Sequence, residues 1–109
     1  MARTRTYSRR TAQATELLGA QIRLARRERR WTLQDLADRV GVAKATMLKV
    51  ERGDPTVRLG VAFEAATLVG VPLFHSDHSR RSLEAGRVED RLAVLPQRVR
   101  KPLKVDDDF

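Results

Sequence analysis

The side chains with the clearest binding chemistry in this sequence lie in a short segment that begins with Lys44 and ends with Lys49. The apolar residues between and after them, Met47 and Val50, are spaced as on the inner face of a helix. On the outward face, a lysine ammonium group can donate hydrogen bonds to guanine O6 and N7, and an alanine can touch a thymine methyl group. The outward-facing set is Lys44, Ala45, Leu48 and Lys49. The alternative interpretation is a solvated lysine face that carries one stray leucine.

Several hydroxyl and guanidinium groups near this segment could bind phosphate. Such groups, together with helix N-termini, hold a nucleic-acid backbone and fix the register without reading the sequence. The candidates are Thr32, Thr46, Arg52 and Arg58, with Arg3 and Arg5 in a basic N-terminal arm that could enter a minor groove or follow the backbone. For each residue taken alone, an ordinary solvated side chain is an equally good interpretation.

Other kinds of site chemistry are poorly supported. His75, Asp77 and His78 form an incomplete metal-ligand set, and the nearby serines lack a neighbouring base with an orienting acid. The chain has no cysteine and no glycine-rich phosphate loop. We therefore expect a protein that is not an enzyme and that has no cofactor, metal or small-molecule ligand.

The distribution of charge favours a polyanionic partner. The 109 residues carry a net charge of +8, and residues 1–30 alone hold nine basic and two acidic residues, a net of +7. Segregated charge of this kind is typical of a binding face for nucleic acid or for an anionic membrane. The apolar stripe of residues 16–30 is narrow and has no Phe or Trp, so a membrane surface is the weaker alternative. No apolar run could span a bilayer and none resembles a signal peptide, so we expect a cytoplasmic protein of one domain plus tails.

The periodicity of apolar residues predicts an all-α fold, with no competing strand pattern. Thr32 followed by Asp35 predicts a capping box at a helix start, and Gly41 predicts a left-handed helix end. Two short helices joined by such a turn form a helix-turn-helix. The predicted helices span residues 12–30, 32–41, 43–51, 58–69 and 82–95, with a short extra turn at residues 73–74.

Residues 15–74 resemble the Cro/cI-type (Xre) helix-turn-helix regulators. The resemblance rests on Leu18-Gly19-x-x-Ile22-Arg23-x-x-Arg26, Thr32-x-x-x-Leu36-Ala37-x-x-x-Gly41-Val42, Thr46-Met47-x-x-Val50-Glu51-Arg52-Gly53-x-Pro55-Thr56 and Leu68-Val69-Gly70-Val71-Pro72-Leu73. It implies a lambda-repressor-like bundle of four to five helices that binds operator DNA as a dimer. It also implies base contacts by Lys44 and Lys49 and a structural ion pair between Arg26 and Glu51. Leu33 and Ala43 depart from the family pattern, where a glutamine and a capping hydroxyl residue are common.

The last third of the chain predicts a protein-binding function. Residues 90–100 resemble the HipB-like antitoxins, a resemblance that implies pairing with a kinase-like toxin. The apolar residues Ala85, Val88, Leu92 and Leu95 are spaced as a short helical seam that could pack on the domain or on a second copy, and we favour a homodimer. The acidic residues 106–108 and Phe109 end a charged tail that is either disordered or a docking segment.

The expected organisation is a basic arm at residues 1–11, a DNA-binding domain at 12–75, a dimerisation helix at 76–95 and a charged tail at 96–109. The expected function is a repressor that binds a palindromic operator in double-stranded DNA, as the antitoxin of a HipA/HipB-like pair. The alternative is a stand-alone Xre-type repressor without a toxin. Neither hypothesis involves a membrane.

Overall fold

Five α-helices form the described structure, a computed structural model that describes residues 6–75, 77–99 and 101. They are α1 (Arg9–Glu28), α2 (Leu33–Val40), α3 (Lys44–Glu51), α4 (Leu59–Val69) and α5 (His78–Val94). No strand occurs in these residues. The all-α fold with a helix-turn-helix is therefore confirmed.

The chain divides after Leu73 into two compact units. In the N-terminal unit, α1 to α4 pack around a core of small and medium apolar side chains, of which Ile22, Leu36 and Met47 are fully buried. The core residues are Ile22, Leu36, Ala37, Met47, Val50, Ala62, Ala65, Ala66 and Val69. Because alanines supply much of α4's inner face, that helix can lie close to its neighbours.

The helix-turn-helix is held by local signals. Thr32 Oγ1 accepts a hydrogen bond from the Asp35 N–H at 3.0 Å, and Asp35 Oδ2 accepts one from the Thr32 N–H at 2.8 Å. This is the predicted capping box. Gly41 has φ +87°, and both it and Val42 donate their N–H groups to the Ala37 carbonyl. The turn therefore needs the left-handed conformation that glycine adopts without strain.

The first and last helices begin earlier than predicted because polar residues cap them. Ser8 Oγ accepts from the Thr11 N–H at 3.2 Å, so Arg9 and Arg10 belong to α1, although the sequence placed them in the arm. Asp77 Oδ1 accepts from the Ser79 N–H at 3.0 Å and starts α5 at His78 rather than near residue 82. The predicted turn at residues 73–74 is a bend, and Phe74 there has φ +64°.

The C-terminal unit is described by α5 and the residues around it. No residue of α5 is buried. Within the part of the chain that the structure describes, no helix is long and apolar enough to cross a membrane.

Candidate nucleic-acid interface

α3 presents its polar face to solvent because its apolar face closes the core. Met47 is fully buried and Val50 is 3% exposed, so these residues fix the helix against α1 and α2. The residues expected to read bases all lie on the exposed face, although Leu48 is only 37% exposed. They are Lys44, Ala45, Leu48 and Lys49. One short helix therefore presents two ammonium groups and two apolar side chains to solvent.

A solvent-open depression of about 400 Å³ lies between α3 and the start of α4. Thr46, Lys49 and Arg58, which the sequence assigned to base or phosphate contacts, all line it. Its remaining lining residues are Val42, Ala43, Thr56, Val57 and Val61. A hydroxyl, an ammonium and a guanidinium group thus face one small space, a combination suited to an anionic oxygen.

Two helix N-termini border the same depression without side-chain caps. Ala43 is the N-cap residue of α3 and Arg58 that of α4, and neither makes a side-chain capping bond. The first N–H groups of both helices are therefore without an intrahelical or side-chain acceptor. Free N–H groups with the positive end of the helix dipole favour an anion such as phosphate. Because Ala43 has no capping hydroxyl group, the first N–H groups of α3 stay available as donors at the depression.

The remaining phosphate candidates lie in different places. Arg52 is exposed at the end of α3 and caps it through its backbone, and Thr32 is exposed at the start of α2. The Thr32 hydroxyl group and N–H both serve the capping box with Asp35. Arg3 and Arg5 lie outside the described residues.

Sequence reasoning missed Thr56 at this site. Its N–H and hydroxyl both bond to Asp54 Oδ1, at 2.8 and 2.6 Å, and they form a small turn before α4. These hydrogen bonds lower the pKa of Asp54 below its usual value. The sequence Asp-Pro-Thr is a turn signal that could have pointed to this contact.

A buried ion pair links α1 to the end of α3. Arg26 Nε lies 2.6 Å from Glu51 Oε2, Arg26 Nη2 lies 2.9 Å from Glu51 Oε1, and Arg26 Nη1 donates to the Trp31 carbonyl at 2.9 Å. The Arg26 residue is 8% exposed and Glu51 is 4% exposed. The hydrogen bonds to Glu51 raise the pKa of Arg26 above its usual value, although burial acts in the opposite direction. The buried pair therefore fixes the position of α3 against α1.

Two further sets of contacts hold the helices of the N-terminal unit together, one between α1 and α4 and one around Trp31. Arg29 Nε donates to the Val69 carbonyl at the end of α4, at 3.0 Å. The guanidinium carbons of Arg29 and Arg39 lie 5.5 and 4.0 Å from the centre of the Trp31 ring. Trp31 therefore packs beyond the end of α1 within reach of two guanidinium groups, a structural contact of the cation–π kind.

The predicted seam is exposed, but only Ala85, Val88 and Leu92 belong to α5, because the helix ends at Val94 and Leu95 is its C-cap residue with an extended backbone. Val88, Leu92 and Leu95 are 49%, 57% and 59% exposed, and Ala85 is also exposed. In the same unit, His78 Nε2 lies 3.5 Å from Ser82 Oγ. Among the described residues, no three His, Cys, Asp or Glu side chains are grouped as metal ligands would be. The acidic tail lies outside the described residues.

A comparison with protein families matches residues 17–78, more than half of the chain, to a family described as a helix-turn-helix domain. The chain therefore belongs to the helix-turn-helix domain family. Membership of this family, with the geometry of α2 and α3, indicates a DNA-binding regulator. No match was found among curated proteins or among solved structures.

Proposed function

We propose that this protein is a sequence-specific DNA-binding repressor of the Cro/cI (Xre) type, with α3 lying in the major groove. The observation that carries the proposal is that one exposed helix face holds Lys44 and Lys49, beside a depression with two uncapped helix N-termini. Lysines on α3 then read base edges. Thr46, Arg58 and the free N–H groups hold the adjacent phosphates.

The first experiment separates base reading from phosphate binding. The target is a duplex selected from a random DNA pool by the wild-type protein. Lys44→Ala should weaken binding to that duplex by about 1–3 kcal/mol and relax base preference at one position. Arg58→Ala should weaken binding to all duplexes and reduce the slope of log K against log salt by about 1.

A matched control uses Lys101, which is exposed in the C-terminal unit. Lys101→Ala removes the same charge from a unit that carries none of the proposed base contacts, so the base preference of this variant should equal that of the wild type. The base-reading assignment is wrong if Lys44→Ala weakens all duplexes equally. If no duplex is enriched over the random pool, sequence-specific binding itself is refuted.

The proposed repressor acts as a homodimer that joins two half-sites through α5. The support is the exposed seam, in which Ala85, Val88 and Leu92 share one face of α5 and Leu95 follows at the helix C-cap. Exposed apolar residues on a helix without buried residues are suited to a second copy. Replacing Val88 and Leu92 with glutamate should give a folded monomer in sedimentation at about 10 μM protein, where the wild type is a dimer. Glutamate at Arg80 and Arg87, on the same helix, is the control for added negative charge.

A further function as an antitoxin is supported by the resemblance of residues 90–100 to HipB-like proteins and by the exposure of α5. In that case the C-terminal unit binds a kinase-like toxin and the N-terminal unit regulates the pair's own expression. Co-expression with a kinase-like reading frame adjacent to the gene should yield a stable complex. Loss of that complex on removal of residues 96–109 would assign the contact to the tail. The absence of such an adjacent frame would leave the stand-alone repressor.

A further inference from the structure

The outer side of α1 carries two exposed leucines with no function in the proposed DNA contact. Leu17 and Leu24 are each 60% exposed and lie seven residues apart. At about 100° of rotation per residue, they fall within about 20° of each other around the helix. The buried residues of α1 (Gly19, Ile22 and Arg26) lie on the opposite side. The two leucines therefore form a face that the N-terminal unit does not cover.

Charged residues of opposite sign stand at the two ends of this face. Arg10 is seven residues before Leu17, and Glu28 is four residues after Leu24, so both continue the same line along the helix. Together, Arg10, Leu17, Leu24 and Glu28 define what we call the outer stripe of α1. Neither Arg10 nor Glu28 forms an ion pair among the described residues.

Both charges are placed unfavourably for α1 alone. The N-terminal end of a helix favours anions and the C-terminal end favours cations. Arg10 lies in the first turn of α1, which has no acidic residue, and Glu28 is its last residue. Intrahelical electrostatics therefore give no reason for this arrangement, whereas an antiparallel neighbouring helix does.

We propose that the outer stripe of α1 binds the same stripe of a second copy of this chain in antiparallel orientation. Antiparallel pairing brings each Arg10 near Glu28 of the other copy, and Leu17 near Leu24. Parallel pairing would instead place like charges together. Gln13, Ala14, Ala20 and Gln21 flank the leucines, and these uncharged residues allow the two helices to approach.

The contact is weak and separate from the proposed α5 dimer. The face runs for about 27 Å along one helix, and an interface of this kind falls below about 1,200 Å² of buried surface. The neighbouring Arg9, Arg23 and Arg27 also repel a second copy. We therefore expect association in the range of about 0.1–1 mM, which is effective for copies held near each other.

The first test measures self-association without DNA, so it is independent of the proposed function. The full chain with Val88→Glu and Leu92→Glu removes the proposed α5 contact. In sedimentation equilibrium up to about 1 mM it should still form dimers. Adding Leu17→Glu and Leu24→Glu should raise the dissociation constant at least about tenfold. Leu59→Glu, at a leucine of the same unit that is 67% exposed, is the matched control and should leave it unchanged.

A charge exchange tests the orientation. Arg10→Glu alone and Glu28→Arg alone should each weaken association several-fold, because each places like charges opposite one another in the antiparallel pair. The double exchange should restore it. A parallel pair would place like charges together in the wild type, in both single variants and in the double variant, so failure of the double exchange to restore association overturns the proposal.

Cross-linking gives a third readout because the chain has no native cysteine. With oxidised glutathione as the oxidant, Leu17→Cys mixed with Leu24→Cys should form a disulfide-linked heterodimer faster than either variant forms its own homodimer. Glu64→Cys, at an exposed position of α4, is the control for random collision. If the Val88→Glu/Leu92→Glu chain stays monomeric at about 1 mM, the proposal is overturned. Leucine-dependent binding to anionic phospholipid vesicles without self-association would also overturn it and assign the stripe to a membrane surface.

Discussion

At the scale of single residues, the best-defined contact is the pair of Arg26 and Glu51. A guanidinium group with hydrogen bonds to both carboxylate oxygens and to the Trp31 carbonyl leaves little freedom in the position of α3. Burial makes that geometry costly to disturb, because a charge that loses its partner cannot be solvated by water. The pair therefore ties the C-terminal end of α3 to α1, at the end of α3 opposite Lys44.

Glu51→Gln should reduce the free energy of unfolding by about 3–5 kcal/mol, because Arg26 is then left charged and buried without its counter-ion. Urea denaturation followed by far-ultraviolet circular dichroism measures the loss. The double variant Arg26→Met/Glu51→Met removes both charges and should recover most of the stability. A loss below about 1 kcal/mol in Glu51→Gln would show that the pair does not stabilise the fold.

At the scale of helices, the close crossing of α1 and the end of α3 requires a residue without a side chain, Gly19, at the contact. A Cβ atom at Gly19 would lie 2.6 Å from the Val50 carbonyl oxygen and 2.7 Å from that of Glu51. The neighbours are backbone atoms, so no side-chain rotation can relieve the contact. The glycine therefore allows the close approach that also brings Arg26 to Glu51.

Gly19→Ala should accordingly destabilise the protein by about 3 kcal/mol or more, despite alanine's higher helix propensity. Gly86→Ala is the matched control, because Gly86 lies inside α5 and a Cβ there meets nothing within 4 Å. That variant should be neutral or slightly more stable. Thermal unfolding of both variants decides the point, and equal stability of the two would refute the close approach.

The capping box of α2 predicts a specific dependence on pH. The Thr32 N–H donates a hydrogen bond to the Asp35 carboxylate, and the Thr32 hydroxyl group also hydrogen-bonds to it. Both interactions lower the pKa of Asp35 below its usual value. A carboxyl group with a lowered folded-state pKa stabilises the fold above its unfolded pKa, and that stability is lost as pH falls through the folded value. The wild type should therefore lose stability below about pH 4, and Asp35→Ala should lose less over the same range.

Urea denaturation at pH values between about 2 and 7 measures this difference. Asp38→Ala, on the same helix, controls for removal of a carboxylate. Identical pH profiles for wild type and Asp35→Ala would contradict the importance of the cap.

At the scale of the whole molecule, the parts that sequence reasoning located correctly are those with local signals. The start and end of α2 follow from Thr32 and Gly41, and the end of α4 follows from Gly70; each of these residues acts within a few residues of itself. The starts of α1 and α5 were wrong because Ser8 and Asp77 cap helices whose first turns have no apolar periodicity. Polar caps in polar segments are hard to distinguish from loops.

The depression beside α3 could be predicted only in part. Its residues Thr46, Lys49 and Arg58 were identified by type, but their meeting depends on how the loop after α3 returns to the start of α4. Arg29 and the Val69 carbonyl are forty positions apart, and their contact likewise depends on tertiary packing. Local sequence patterns carry no information on contacts between residues far apart in the chain. The sequence therefore predicts the kind of site, whereas the shape of the site depends on tertiary packing.

The proposed dimer makes a final prediction about the spacing of its DNA site. Two α3 helices related by a two-fold axis can enter successive major grooves only if the half-sites lie on the same face of DNA, about 10 base pairs apart. Inserting about 5 base pairs between half-sites turns one of them to the opposite face, and should reduce affinity to that of a single half-site. Electrophoretic mobility shift with the selected duplex, its 5-base-pair insertion and an isolated half-site measures this, at about 0.15 M salt throughout. The Val88→Glu/Leu92→Glu variant is the control, since a monomer should bind all three duplexes through one half-site at a time. Equal affinity of the wild type for the original and the inserted duplex would refute a rigid dimer while leaving DNA binding by α3 intact.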